Sequence, residues 1–290
     1  MTAPSSLPPN LRVGTSSWFH EDWAGPFYPP GARSPEFLSL YAGRFDTVEI
    51  DSTFYRIPSA RMVDGWRERT PEGFIFAAKV PQVITHEKQL EGCEGEMNAF
   101  LEVMSRLGPK LGPLLLQFPY FPKGKGPAEY ASGDNFRERL ARFLDRVPQG
   151  FRIAVEVRNE PWLRPPLLDT LKARGAALTL LDYYTLPPIG ALLERMDPVT
   201  AKFIYARLIG NHQAMDRIVE KRSRETGDAR KWDRLALDRA KESAAWAGAL
   251  WTLCPRVDVA YVFVNNHYAG YAPGSIDLLL SLFAEAPHRG

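Results

Sequence analysis

Eight short stretches of the chain are dense in aliphatic, β-branched and aromatic residues, and most are followed by a helical pattern of apolar positions. The spacing predicts strands over 11–18, 47–55, 74–81, 114–118, 152–158, 177–182, 203–209 and 258–265. Helices are expected near 34–45, 59–69, 96–107, 136–147, 166–174, 189–195, 235–253 and 275–284. The first begins at Ser34-Pro35-Glu36, where a capping residue precedes a proline at the first helical position.

Strands alternating with helices favour a parallel sheet, and eight such units favour a closed (β/α)8 TIM barrel over an open doubly wound sheet. No glycine-rich dinucleotide fingerprint follows the first strand, which weakens the open-sheet alternative. A length of 290 residues suits a single barrel domain over 11–290, with 1–10 as a flexible tail rich in Pro and Ser. That tail lacks the apolar segment of a signal peptide, and no apolar run approaches the roughly 20 residues of a membrane span. In a barrel the functional groups gather at the C-terminal ends of the strands, so polar residues there are the candidates.

Two strands carry charge in an unusual place. In Val48-Glu49-Ile50-Asp51-Ser52-Thr53-Phe54, Val48, Ile50 and Phe54 share one strand face and Glu49, Asp51 and Thr53 the other. In Ile153-Ala154-Val155-Glu156-Val157-Arg158, the isoleucine and valines face one way while Glu156 and Arg158 face the other. Taking the remaining strands in the same phase adds Lys79, Gln117, Asp182, Arg207 and Asn265. The acids Glu49, Asp51, Glu156 and Asp182 nearly balance the bases Lys79, Arg158 and Arg207. Such a set can be an ion network that plugs the barrel top. Buried ion networks add little stability, however, because desolvation offsets the attraction. A polar ligand at the mouth explains so many charges better.

Glu49 and Glu156, on different strands, are the expected acid and base, an arrangement that also suits glycoside hydrolysis. Arg158 beside Glu156 would keep it ionised, as befits a base or nucleophile. His86 in the third loop is the expected proton shuttle, with His267 a weaker candidate. Lys79, Arg158 and Arg207 would hold a phosphate or carboxylate, Gln117 and Asn265 would orient it, and Asp51 and Asp182 would complete the binding set. Trp18, with Trp23, Phe27 and Tyr28, would form an apolar wall, and Tyr55 and Tyr268 would offer hydroxyls. A divalent metal between Glu49, Glu156, Asp182 and His86 or His267 is the alternative. No tight HExxH-type spacing supports it and the nearby cations oppose it, so no cofactor is expected. A Schiff base on Lys79 is disfavoured because neighbouring carboxylates would raise its pKa.

The bulk numbers change this picture little. Lys and Arg total 36 against 34 Asp and Glu, giving a formal net charge of +2 and no global argument for nucleic acid or membrane as a partner. Cys93 and Cys254 form no CxxC pair, which suits a reducing cytoplasm. After the seventh strand, 211–234 forms a charged helical insertion in which Arg217, Arg222, Arg230 and Arg234 interleave with Asp216, Asp228 and Asp233. It reads as a solvated insertion or as a phosphate-contacting lid.

Several motifs in order carry a family resemblance. They are Gly14-Thr15-Ser16-Ser17-Trp18, Trp23-Ala24-Gly25-Pro26-Phe27-Tyr28-Pro29, Thr47-Val48-Glu49-Ile50-Asp51-Ser52-Thr53-Phe54-Tyr55, Ile84-Thr85-His86, Leu114-Leu115-Leu116-Gln117-Phe118-Pro119, Val155-Glu156-Val157-Arg158 and Asn265-Asn266. Across nearly its whole length the chain resembles the YecE-like family of TIM barrels, whose domain has no assigned function. The resemblance implies the barrel and no particular reaction. Many relatives look like Arg-x-His-Gly after the seventh strand, whereas this chain reads Arg207-Leu208-Ile209-Gly210-Asn211-His212. The reading that emerges is an enzyme acting by acid–base chemistry on a small polar, anionic substrate at the barrel mouth. A nucleic-acid-binding protein using 217–234, or a non-catalytic scaffold, is the alternative.

Overall fold

The computed structural model describes residues 7–121 and 133–283. Its strands are β1 (Leu11–Thr15), β2 (Thr47–Ile50), β3 (Ile75–Lys79), β4 (Leu111–Gln117), β5 (Ile153–Glu156), β6 (Ala177–Tyr183), β7 (Phe203–Gly210) and β8 (Val259–Val264). The helices between and after them are α1 (Phe37–Ala42), α2 (Ala60–Glu68), α3 (Glu94–Met104), α4 (Gly133–Arg146), α5 (Pro165–Lys172), α6 (Ile189–Arg195), α7 (His212–Thr226), α8 (Ala240–Leu253) and α9 (Ala272–Phe283). Local chemistry sets several boundaries. Ser59 caps α2 by accepting from the Met62 N–H, and Pro165 opens α5. Asn211 caps α7, which ends at Gly227 in the left-handed conformation.

All eight strands are parallel, in the order β1-β8-β7-β6-β5-β4-β3-β2. The remaining seam, between β1 and β2, is joined at its C-terminal end. There Ser16 and Glu49 form a bridge, and the Ser17 N–H donates to the Glu49 carbonyl at 2.8 Å. The result is the expected (β/α)8 barrel. Reaching that carbonyl holds Ser17 at φ 83°, a conformation costly for a residue with a Cβ.

The period-two pattern divides the apolar residues into two clusters. Val48, Ile50, Val155, Leu116 and Val262 belong to the large core shared with the helices. Ala77, Leu115, Ala154, Ala177, Phe203, Tyr205, Tyr261 and Phe263 form a separate inner cluster. Alanines on β3, β5 and β6 make room for the rings of β7 and β8, so the lumen is packed. One period further along the strands, the inward positions become Glu49, Glu156 and Arg207.

Two expectations need correction. β2 stops at Ile50 rather than continuing to residue 55, because Ser52–Phe54 turns into a 3-10 helix. The Thr53 hydroxyl locks that turn by donating to the carbonyls of Ile50 and Lys79, at 3.0 and 2.7 Å. The helix expected from 235 starts at Ala240, and the charged insertion holds the 15-residue α7. Of the tail expected over 1–10, residues 1–6 lie outside the described residues, and Asn10 donates to the carbonyls of Cys254 and Val257 at 2.8 Å each. Among the described residues no helix is long and apolar enough to cross a membrane.

The β1–β2 seam is tight enough to test. A Cβ at Gly14 would lie 2.1 Å from the Thr47 carbonyl oxygen, whereas one at Gly248, in the middle of α8, would meet nothing within 4 Å. Gly14→Ala is expected to cost about 3 kcal/mol or more through overpacking. Gly248→Ala should add roughly 0.5–1 kcal/mol through helix propensity. Urea denaturation of the two variants checks both signs, and a Gly14→Ala protein as stable as the parent would contradict the closed seam.

Candidate active site

The C-terminal end of the barrel is braced by one guanidinium. Arg207 projects from β7 between Glu49 of β2 and Glu156 of β5, and all three side chains are buried. Its Nε lies 2.9 and 3.1 Å from the two Glu49 oxygens, and Nη2 lies 2.7 Å from Oε1. Its Nη1 reaches Glu156 Oε2 at 2.6 Å. The Tyr205 hydroxyl donates to Glu49 Oε2 at 2.5 Å, and the Ser16 hydroxyl donates to Oε1 at 2.9 Å. Arg158 Nε donates to the remaining Glu156 oxygen at 2.8 Å. All four carboxylate oxygens are therefore engaged by fixed donors.

These contacts set the charge states. Burial alone would push the Glu156 carboxyl up, but Arg207 and Arg158 outweigh it and hold the group at about 2. Burial, with Glu49 beside it, drives the Tyr205 phenol well above its ordinary range, so it remains a donor. Each oxygen of the two glutamates accepts at least one hydrogen bond. The expected acid and base both clamp Arg207 in this geometry.

A second layer lies above this brace and is less committed. Lys79 sits at the end of β3 with its side chain 12% exposed. Its ammonium is 3.5 Å from Asp51 Oδ1 and 4.4 Å from the centre of the Phe54 ring, and among the described residues it has no hydrogen-bond partner. Asp51 Oδ1 is buried and likewise has none, lying 3.9 Å from Arg207. Arg158, 15% exposed at its side chain, lies over the Tyr183 ring at 4.5 Å. Beyond Glu156 its polar contact is a long one, 3.4 Å, to the Tyr183 hydroxyl. A guanidinium carries five N–H donors, so most of this fork is unspent.

The four described histidines all stand around this mouth. His86 Nδ1 pairs with the Thr85 hydroxyl at 2.8 Å, and its ring meets Phe54 edge-on. Burial, reinforced by Lys79 and Arg158, lowers its pKa to about 4. Burial likewise lowers His20 and His212 to about 4. His267 stacks between His212 and Trp232, with Nδ1 2.8 Å from Asn265 Oδ1 and Nε2 3.1 Å from Asp216. Burial lowers its pKa too, against the pull of Asp216. At neutral pH the rim therefore presents uncharged imidazoles around the two cations.

Other expected residues are placed differently. Asp182 faces the helical layer, not the lumen: Trp246 of α8 donates to it at 3.1 Å. Trp18 also turns outward, meeting Trp66 and Phe76 edge-on. Gln117 is buried and donates to the Phe118 carbonyl, and Asn265 caps the short turn at 266–268 by accepting from the His267 N–H. Tyr55 is 73% exposed on the rim. In the insertion, Arg222 donates to Asp233, Arg230 to Asp228, and Arg234 to both acids, so these three arginines are ion-paired with two acids within the segment. Asp22 holds the segment against the first loop by accepting from the N–H groups of Lys231 and Trp232. Ser16, Tyr205, Tyr183, His20 and His212 join the site without a strand-face signal that marks them in the sequence. Among the described residues no group of three or more His, Cys, Asp or Glu side chains is arranged to hold a metal ion.

Comparison with known proteins fits this geometry into a family. Residues 12–289 match the profile described as "Protein of unknown function DUF72", and the chain belongs to that family. It is 35% identical over 177 residues to the UPF0759 protein YecE of Escherichia coli K12, covering 59% of each chain. It is 30% identical over 183 residues to the UPF0759 protein YunF of Bacillus subtilis, covering 59% of this chain and 60% of that one. The match thus spans under two thirds of these curated relatives. A DUF72 crystal structure from Thermotoga maritima superposes with a TM-score of 0.70 at 28% identity, over 95% of this chain and 98% of that one. A D-psicose 3-epimerase reaches 0.52 at 12% identity, over 95% and 96%, a likeness of fold alone.

Removing the central cation gives a signed test. In the parent protein Glu156 stays ionised in the folded state down to about 2, against 4.5 for the ordinary group. Its stabilisation, on the order of 3 kcal/mol, is present above the unfolded pKa and is lost as pH falls from about 4.5 toward 2. Arg207→Met removes the cation between two buried carboxylates and should cost about 3–5 kcal/mol at neutral pH. Below about pH 5 the variant should gain stability as those carboxyls protonate, the reverse of the parent. Arg207→Lys should not restore it, since an ammonium cannot span both acids. Denaturation midpoints measured from acid to neutral pH read out all three.

Proposed function

We propose that this protein is an enzyme acting by acid–base chemistry on a small polar substrate whose anionic group docks between Lys79 and Arg158. The observation that carries the reading is the pair of nearly buried cations with unspent donors. Lys79 has no hydrogen-bond partner among the described residues, and Arg158 has most of its fork free. Among the described residues Lys79 is held by its 3.5 Å ion pair with Asp51 and by the Phe54 ring, which leaves N–H donors that a phosphate or carboxylate oxygen can accept from.

In this reading the two layers divide the work. Glu49, Arg207 and Glu156 do not exchange protons. They fix Arg158 through Glu156, and so pre-set its orientation at little reorganisation cost on binding. Proton transfer falls to His86, whose ring is uncharged above about 4 and stands beside both cations. Asp51, with an unsatisfied buried oxygen 3.5 Å from Lys79, accepts a hydroxyl of the substrate or takes part in the transfer. Against a nucleic-acid role stands the pairing of Arg222, Arg230 and Arg234 with Asp228 and Asp233 inside the segment.

Isothermal titration with inorganic phosphate and with succinate tests the anion site. Lys79→Met and Arg158→Met are each expected to weaken the better of these ligands by about tenfold or more. His86→Gln should leave that affinity within about twofold, since the imidazole carries no charge at neutral pH. Failure of both anions to bind, or binding indifferent to both cation variants, would sink the proposal.

A further inference from the structure

We infer that a second subsite, for the hydroxyl-rich part of the same substrate, lies beside the mouth between the end of β6 and the start of α8. The inference rests on the anion site proposed above and names the substrate class: a sugar chain that carries an anionic end. A cleft of about 330 Å³ opens there, lined among others by Asp182, Tyr183, Tyr184, Pro187, Pro188 and Glu242. Its volume is at the lower end of the range for small-ligand sites.

Tyr183 connects the two sites. Its ring lies 4.5 Å from the Arg158 guanidinium and 4.5 Å from the Tyr184 ring, so one aromatic side chain is shared by the anion site and the cleft. A ligand gripped by Arg158 therefore has the cleft within the reach of a short carbon chain. The chemistry of the lining selects what that chain carries. Tyr184 is 55% exposed although it is large and aromatic, and it stands with two prolines that offer flat apolar faces. Such faces suit the C–H surface of a sugar.

The polar lining includes two carboxylates, Asp182 and Glu242. Asp182 takes one bond, from Trp246, which leaves acceptor capacity on its carboxylate. Glu242 accepts from Arg239 at 3.1 Å, and Arg239 also donates to the Tyr268 carbonyl, so the cation lining the cleft is engaged within the fold. Two carboxylates beside aromatic and proline faces call for a ligand with several hydroxyl donors. Burial raises the pKa of Asp182, consistent with a carboxyl that gains from hydroxyl donors. This also gives Asp182 a role that its outward orientation denies it in the lumen.

The test compares pentose and hexose phosphates and the corresponding aldonic acids with inorganic phosphate, acetate and the free sugars, by isothermal titration. The two anionic series separate the two sources of one chemistry, and tighter binding by either supports the subsite. A sugar-bearing anion is expected to bind at least about tenfold more tightly than its bare anion. Tyr184→Ala and Asp182→Asn should each erase most of that gain while leaving affinity for the bare anion unchanged. The amide oxygen introduced by Asp182→Asn still accepts from Trp246, and Tyr184 is a surface residue, so both variants should fold. Sugar-bearing anions no tighter than bare ones, or a gain that survives both substitutions, would overturn the subsite and leave the anion site standing. Loss of all anion binding would overturn both.

Discussion

Everything at the C-terminal end of this barrel is arranged around the guanidinium of Arg207. It crosses the lumen from β7 to an acid on β2 and another on β5, strands that are not neighbours in the sheet. No sheet hydrogen bond constrains those strands relative to one another across the lumen, so the ion bridge does. Its planar fork is matched to two carboxylates, one gripped through Nε and Nη2 and the other through Nη1. The same Glu49 whose side chain is held this way also closes the β1–β2 seam through its backbone carbonyl. Closure of the barrel and geometry of the mouth therefore meet in one residue.

An ion triad in this position is a poor way to gain stability, since desolvation of three charges offsets much of their attraction. An apolar plug, like the aromatics one layer below, would fill the space as well. What the triad does achieve is orientation. Arg158 is fixed by the outer oxygen of Glu156, and Tyr183 is fixed against Arg158. The order passes outward from buried, fully bonded groups to half-buried groups with donors left over. The proposed anion site rests on that gradient, from spent to unspent hydrogen-bonding capacity.

The strand pattern made much of this legible. Period-two alternation in Ile153–Arg158 assigned the faces correctly, and with Glu49 and Arg207 it brought the triad to one place. The same rule failed where the strand ended or slipped. β2 breaks at Ile50, so Thr53 became a turn lock and not a member of a charged face. Asp182 lies on the other face of β6 from the lumen, next to a register irregularity between Asp182 and Tyr183. A one-residue difference in phase turns a mouth residue into a helix-facing one. Tyr205 is hard to single out because a tyrosine inside an apolar strand reads as core, and its partner Glu49 lies 156 residues away. The rim histidines are visible singly, but their stacking with Trp232 depends on how the insertion folds back, which no local pattern encodes.

The insertion illustrates how charge count and charge availability differ. Counted along the chain, its basic residues resemble a phosphate-binding strip. In the fold, Asp228 and Asp233 each take up arginines, and the segment is held to the first loop by Asp22. The cations of the proposed site lie at strand ends: Lys79 pairs with Asp51 at 3.5 Å, and Arg158 spends its Nε on Glu156, whose other oxygen is taken by Arg207. A ligand responds to unspent hydrogen-bonding capacity, not to formal charge. That capacity at the barrel mouth is what the proposed anion site rests on.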